Sequence, residues 1–278
     1  MLRSDFLQLL AAGLAVRRLP RLTTPADPPL RIGLELYSVR QAMRADPEAT
    51  LAAIGAMGYR EVELLWSFGN FGRTTAQVRA SLASAGLRAP AAHISPALLT
   101  ADWEGSLATA RELGHDYLIV PSLPQESSQS LDGWREWADR FNRAGATART
   151  AGLWLAFHNE PGHQTPIDGV IPYDLFLERT EPSLVRLQLD VGNMTMGGGD
   201  PMAYLKRHTE RYWGFHLKDV VTDRSHDTEL GQGTVKLREL IAAITDRAHK
   251  PCFVEQEGSA DPMASAKRNF DYLKALKS

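Results

Sequence analysis

The sequence predicts an α/β protein built as a single (β/α)8 TIM barrel, preceded by a signal-like N-terminal segment. Three observations carry that expectation. Short strand-like and longer helix-like segments alternate eight times from Arg31 to the C-terminus, the pattern of βαβ units around a parallel sheet. Gly58, Gly86, Gly114 and Gly152 each stand just ahead of a strand-like run, where a left-handed residue closes the preceding helix. Right-handed crossovers wind such a sheet one way, and eight units in about 250 residues match a closed barrel.

The elements follow in order. Strand-like runs lie at Arg31–Tyr37, Arg60–Leu65, Leu87–Ile94, Tyr117–Pro121, Leu153–His158, Leu184–Asp190, Tyr212–Leu217 and Pro251–Glu255. Each is short, apolar and rich in β-formers, as buried parallel strands are. Between and after them, helical periodicity covers Pro47–Met57, Thr75–Ala85, Trp103–Leu113, Leu131–Ala151, Tyr173–Thr180, Pro201–His208, Lys236–Arg247 and Met263–Leu276. An open doubly wound sheet is the alternative, but no glycine-rich phosphate loop follows an early strand. Met196-Gly-Gly-Gly-Asp200 lacks the lysine and spacing of a phosphate loop and reads as a flexible loop over the site.

With 278 residues, 44% hydrophobic and 23% charged, the chain can bury a large core. Its formal net charge is −2, with no long basic run outside the N-terminus, so nucleic acid is not an expected partner. Cys252 is the single cysteine and falls in a buried strand, where a small core residue is expected. Residues 1–29 read differently from the body at 30–278. Phe6 to Val16 is apolar but too short to span a bilayer as a helix. Arg3 precedes it, and Arg17, Arg18 and a Pro-rich stretch to Pro29 follow. That is the layout of an export signal or anchor with a tether. Arg3-Ser4-Asp5-Phe6-Leu7-Gln8 is similar to a twin-arginine export motif with Ser4 in place of the second arginine. A periplasmic or exported location is expected, with a cytoplasmic one as the alternative.

Strand ends hold the chemistry. Leu153-Trp-Leu-Ala-Phe-His158-Asn-Glu160, Leu184-Val-Arg-Leu-Gln-Leu-Asp190, Tyr212-Trp-Gly-Phe-His216 and Cys252-Phe-Val-Glu255 each finish in a metal-competent side chain. In a parallel barrel those ends share one face, where enzymes of this fold place their sites. The same end collects Glu35, Tyr37, Glu61, Glu63, His93, Pro121, Asn193, Lys218 and Glu257. Two-residue alternation puts His158 with Glu160, His216 with Lys218, and Glu255 with Glu257. So many carboxylates and imidazoles in one cup need a cation to hold them together. N/O ligation admits one divalent ion, Mn, Zn, Mg, Co or Fe. Singly, each residue has a plainer reading: Glu35 and Glu61 as solvated or paired acids, His93 as a core histidine, Asp190 as a cap for the next loop.

The chain resembles the xylose isomerase-like TIM-barrel superfamily, often called sugar phosphate isomerases/epimerases. The matching stretches are Gly33-Leu-Glu-Leu-Tyr-Ser-Val-Arg40, Gly58-Tyr-Arg-Glu-Val-Glu63, His93-Ile-Ser95, His158-Asn159-Glu160, Leu189-Asp-Val-Gly-Asn193, His216-Leu-Lys-Asp219, Leu230-Gly-Gln-Gly233 and Val254-Glu255. The resemblance implies Asp190, His216 and Glu255 as metal ligands. At strand five the family's Glu register holds His158, with Glu160 two residues on, so either is a candidate ligand. It also implies proton transfer by Glu255, with Glu160 the candidate second carrier, and an oxyanion role or an ion pair for Lys218. Glu35, Tyr37, Glu63, Trp66, His93, Asn193, His226 and Glu257 are candidate substrate contacts, and Phe68 and Phe71 share with Trp66 the choice between sugar stacking and loop packing.

The expected activity is isomerisation or epimerisation of a free or phosphorylated sugar or cyclitol through an enediolate. The alternatives are a lyase or dehydratase acting on an inosose or 3-keto-sugar, and a non-catalytic sugar-binding barrel. An apurinic endonuclease fits poorly, because the extra histidines are missing and Asn193 stands where one is expected. No membrane span is expected in the body, and the sequence does not give the oligomeric state.

Overall fold

The computed structural model describes residues 30–276, so the signal-like segment at 1–29 lies outside the described residues. Eight parallel strands close on themselves: β1 Arg31–Glu35, β2 Glu61–Leu65, β3 Arg88–His93, β4 Tyr117–Val120, β5 Trp154–His158, β6 Val185–Asp190, β7 Tyr212–Leu217 and β8 Pro251–Val254. Each pairs with its sequence neighbour, and β8 returns to β1 with Arg31 opposite Pro251. Closure leaves no strand edge unpaired.

The strands form where the apolar runs predict them. β2 is buried at every position even though it carries two glutamates, which marks a strand covered on both faces. Inside the barrel Phe253 fills the layer beneath the site. Gly33 makes room for it, since a Cβ there would come within 2.4 Å of the Phe253 ring. Outside, helix Leu131–Thr150 buries Trp134, Trp137, Ala138, Phe141, Ala144, Gly145 and Ala148, one stripe of the 3.6-residue period. Phe141 and Trp134 meet Phe157 of β5 edge-on at 5.4 and 5.9 Å. The four glycines expected to close helices all take positive φ, from 66° at Gly86 to 114° at Gly58.

Three local expectations are corrected. β1 stops at Glu35, because its carboxylate accepts from the Tyr37 amide and caps a 3-10 turn over Leu36–Val39. Glu61 opens β2 instead of closing it, so it lies at the amino end of the barrel, bonded to Arg31 and 3.8 Å from Arg88. Two glycines of the triple run are packed: a Cβ on Gly197 would meet the Pro161 carbonyl at 2.4 Å, and one on Gly199 would meet Met194 Sδ at 2.5 Å, while Gly198 is open at a φ of 86°. The two packed glycines serve close approach to the loop after β5. Among the described residues no helix is long and apolar enough to cross a membrane.

His115, just ahead of β4, is 4% exposed and places Nδ1 2.6 Å from the Ala89 carbonyl. Burial pushes its pKa down to about 4. The unfolded chain takes up a proton below about 6.5 that the folded chain refuses, so stability falls as pH drops from 6.5 toward 4. The full increment is about 3 kcal/mol. Urea unfolding of H115Q between pH 7.5 and 4.5 is expected to show a pH slope shallower than the parent's by about one proton. Equal slopes would contradict this account of His115.

Candidate active site

Polar side chains crowd the carboxyl ends of β5 to β8. His158 ends β5 and is 2% exposed. The next residue, Asn159, clamps β5 to β6: its side chain accepts from the Asp190 amide at 3.0 Å and donates to the Asp190 carbonyl at 2.9 Å. Asp190 ends β6 and divides its two oxygens. Oδ1 accepts from the Asn193 amide at 2.8 Å, capping a short helix over Val191–Met196. Oδ2 faces the barrel axis. The capping role and the site role therefore coexist in one carboxylate. On β7, His216 is fully buried, with Nδ1 2.8 Å from Glu255 Oε2 and Nε2 2.6 Å from Glu63 Oε2.

Lys218 is the group whose environment says most about charge. It is 1% exposed, and its Nζ lies 2.7 Å from Glu257, 3.0 Å from Asn193 Oδ1 and 3.1 Å from both Asp190 and Glu255. Its stem crosses the face of Gly192, where a Cβ would meet Lys218 Cγ at 2.6 Å. Burial opposes the charged amine, but Asp190, Glu255 and Glu257 outweigh it and raise its pKa well above the ordinary value. The ion pair anticipated for Lys218 is thus present, and this cation is neither a base nor part of the cavity wall.

One ligand atom from each of His158, Asp190, His216 and Glu255 lies within 4.8 Å of the other three. Both ring nitrogens of His158 lack a hydrogen-bond partner although buried, and Asp190 Oδ2 has the Lys218 ammonium 3.1 Å away. Their nearest approach is 3.6 Å, from His158 Nε2 to Asp190 Oδ2. Buried polar atoms left unsatisfied cost free energy, and an ion between them removes that cost. Charge gives the same answer. Burial and then the neighbouring Glu63 push the pKa of Glu35 well above the ordinary carboxylate value. Glu63 sits at about 2: burial opposes ionisation, and His93 and His216 override it. Lys218 holds Asp190 and Glu255 down against the same burial cost. In this buried set the carboxylates Glu63, Asp190 and Glu255 outnumber the one ammonium, as in a set that takes up a cation. Without an ion, His216 itself becomes the counter-charge: burial disfavours its proton, but Glu255 and Glu63 on either side lift its pKa to about 10.

Above this cluster opens a cavity of about 320 Å³ lined by Tyr37, Leu65, Ser67, Phe68, His93, Pro121, Ser122, His158, Glu160, Asn193, Glu255 and Glu257. Glu160 stands in its wall, 38% exposed, with Oε2 accepting from Asn193 Nδ2 at 3.2 Å and Oε1 3.7 Å from His158. Burial lifts its pKa to about 7, while His158 and Lys218 pull it back. His93 donates from Nε2 to Gln188 Oε1 at 2.9 Å, and burial lowers its pKa to about 4.

The other predicted contacts divide. Tyr37, His93, Asn193 and Glu257 line the cavity. Glu35 and Glu63 lie beneath it with no exposure and touch no open space. Trp66 turns away and packs on His115 at 5.8 Å, so that Phe68 faces the cavity in its place. His226 is exposed, bonded to Ser225 at 2.9 Å, and is not a lining residue.

Four positioning groups escaped the sequence reading: Asn159, Gln188, Asp219 and Asp227. Asp219 gathers the amides of Gly231, Gly233 and Val235, which explains the Gly-Gln-Gly run. Asp227 accepts from the Glu257 and Gly258 amides and sets Glu257 in place. Gln188 carried a signal, a lone amide inside an apolar run two residues before Asp190 and hence on the same face.

A family model described as xylose isomerase-like TIM barrel matches residues 51–276. The chain belongs to that family. Among solved structures, a sugar phosphate isomerase/epimerase from Parabacteroides distasonis superposes with a TM-score of 0.75 at 25% identity, over 87% of this chain and 97% of that one. The IolI protein, solved with a bound zinc atom, shares the fold with a TM-score of 0.71 at 12% identity, over 90% and 98% of the two chains. Among curated proteins, inosose dehydratase 2 of Bacillus cereus is 25% identical over 197 residues, 63% of this chain and 64% of that protein. The chain thus aligns with under two thirds of the length of that relative.

Elemental analysis of the purified protein after incubation with Mn or Zn is expected to give one divalent ion per chain, and none in the H216A/E255A double variant. Ion uptake must displace the His216 proton. At pH 8, well below the value of about 10 set for that ring, titration with metal is expected to release close to one proton per ion. No ion in the parent, or uptake without proton release, would contradict the site as described.

Proposed function

We propose that this barrel is a divalent-metal-dependent enzyme that removes a proton beside the carbonyl of an uncharged keto-sugar or cyclitol, and returns it as an isomerase or epimerase. The observation that carries the reading is Glu160: a carboxylate in the cavity wall with a pKa near 7, beside a buried metal-competent set, is suited to moving protons at neutral pH. His158, Asp190, His216 and Glu255 would hold the ion, leaving Glu160 outside the set. A bound divalent ion supplies positive charge to the oxygens of an α-hydroxyketone as the proton leaves.

The chain's own residues do the rest. Glu160 takes the proton from carbon and is held for that by Asn193. Glu255 faces the same space from β8 and is the candidate second carrier. In isomerisation the proton goes back to the neighbouring carbon; in epimerisation it returns to the same carbon from the other side. Tyr37 and Phe68, 6.0 Å apart edge to face, offer an apolar wall for the C–H face of a ring. Among the described residues no Arg or Lys lines the cavity, and Lys218 is committed to four acceptors. That favours an unphosphorylated ligand. An exported location, read from residues 1–29, agrees with this choice; fractionation that finds the intact N-terminus in the cytosol alone would remove that support.

A second reading, a lyase, is favoured by the match to inosose dehydratases. The first step is shared, and the two electrons left by the proton then expel a β-hydroxyl, which takes up the proton held by Glu160 or one from Glu255 and leaves as water.

Metal-loaded protein incubated in D2O with free ketohexoses and inososes is expected to exchange one carbon-bound hydrogen, followed by NMR. A deuterated isomer marks the isomerase, and an unsaturated ketone with loss of water marks the lyase. E160Q is expected to lower turnover by about 10²–10⁴-fold while keeping its ion. No exchange and no product from metal-loaded parent would overturn the enzymatic reading.

A further inference from the structure

Beneath the cavity, Glu63 and Gln188 form a crossbar from β2 to β6 that touches no open space. Glu63 is fully buried and Gln188 is 1% exposed. Gln188 Nε2 donates to both oxygens of Glu63, at 2.8 and 3.1 Å. Its Oε1 lies 2.9 Å from His93 Nε2, which is also 3.2 Å from Glu63 Oε2. This orientation of the amide is fixed: the reverse would set a carbonyl oxygen against a carboxylate and leave His93 facing an NH2. Glu63 Oε2 also meets His216 Nε2 at 2.6 Å.

From this network we infer that Glu63 is a positioning residue that fixes which nitrogen of His216 faces the metal set, and that Gln188 is the strut that holds Glu63 in place. The inference rests on the proposed metal reading of His158, Asp190, His216 and Glu255. The chemistry is simple. Both oxygens of Glu63 accept from Gln188 Nε2, so in the contact with His216 Glu63 is again the acceptor and Nε2 carries the hydrogen. A neutral imidazole has one N–H. In the absence of an ion Nδ1 donates to Glu255 Oε2, 2.8 Å away; once an ion displaces that hydrogen, the Nε2–H held by Glu63 remains and the electron pair of Nδ1 faces Glu255 and, 3.8 Å away, Asp190 Oδ2. The ring is thereby aimed and made a better donor, as when a histidine gives its second N–H to a carboxylate.

The same cluster of Glu35, Glu63, His93 and His216 also brings four ligand atoms within reach of one another. A second ion there is disfavoured by the bonding already in place. Glu63 is occupied by Gln188 and His216, His93 by Gln188, and Glu35 Oε2 alone lacks a partner. Nor does the crossbar reach substrate, because neither Glu63 nor Gln188 lines the cavity. Its influence on chemistry passes through His216.

The test uses the full chain, with zinc affinity measured by chelator competition for the parent, E63Q and Q188L, and 15N NMR of histidine-labelled, zinc-loaded parent. The expected result is a parent ring with hydrogen on Nε2 and zinc on Nδ1, and variants that bind zinc about 10–100-fold more weakly. Circular dichroism confirms folding; if E63Q does not fold, Q188L and the NMR of the parent still decide. Unchanged affinity in the folded variants, or zinc on Nε2, would overturn the positioning role and leave the metal site standing. A parent that takes up no zinc would sink the metal reading, and this inference with it.

Discussion

Four carboxylates, Glu35, Glu63, Asp190 and Glu255, are buried at one end of a parallel barrel, and their mutual repulsion is the constraint to which the surrounding structure answers. Removing a charge from water costs several kcal/mol unless a partner compensates. Three compensations are built in. Burial and the neighbouring Glu63 raise the pKa of Glu35, which favours its neutral form. Lys218 brings a permanent positive charge to Asp190 and Glu255. His216, between Glu63 and Glu255, holds a proton when no ion is bound. Both nitrogens of His158 are buried without a hydrogen-bond partner, which is what the proposed ion would supply.

The rest of the carboxyl face follows from keeping those groups in register. Asn159 ties the ends of β5 and β6 so that His158 and Asp190 stay opposite each other. Asp219 pins the loop after β7 by three amides, and Asp227 pins the loop after β8, so that Lys218 and Glu257 meet. Glu160 escapes these constraints. It stands two residues beyond His158 on the cavity wall, held chiefly by Asn193, with a pKa near neutrality. The division is a functional one: buried groups are fixed by several bonds each, and the group proposed to move protons is half-free.

Much of this was legible in the sequence because parallel strands buried on both faces write themselves as short apolar runs, and because two-residue alternation fixes which polar residues share a face. His158, Asp190, His216 and Glu255 come together as that logic requires. Alternation alone does not say at which depth a residue sits. Glu61 and Glu63 share a face, yet Glu61 lies a layer lower and pairs with Arg31, while Glu63 meets His216. Loop geometry was also hidden. The segment Trp66–Gly72 places Asn70 and Phe71 at positive φ, 49° and 54°, and that local path turns Phe68, not Trp66, to the cavity. His226 was assigned by proximity in sequence to the Gly-Gln-Gly run, and the turn that Asp219 organises carries it out to solvent. Long-range amide bonds such as those of Gln188 leave no periodic trace, so only their odd polarity within an apolar strand marks them.

Anomalous diffraction from crystals grown with zinc, recorded on both sides of the zinc absorption edge, tests the central claim most directly. The account predicts one peak on the barrel axis, bonded to His158, Asp190, His216 and Glu255, with Lys218 beside it and Glu160 outside the coordination sphere. A barrel with no peak among those four side chains, or one whose ion is held by Glu160 in place of His158, would contradict it.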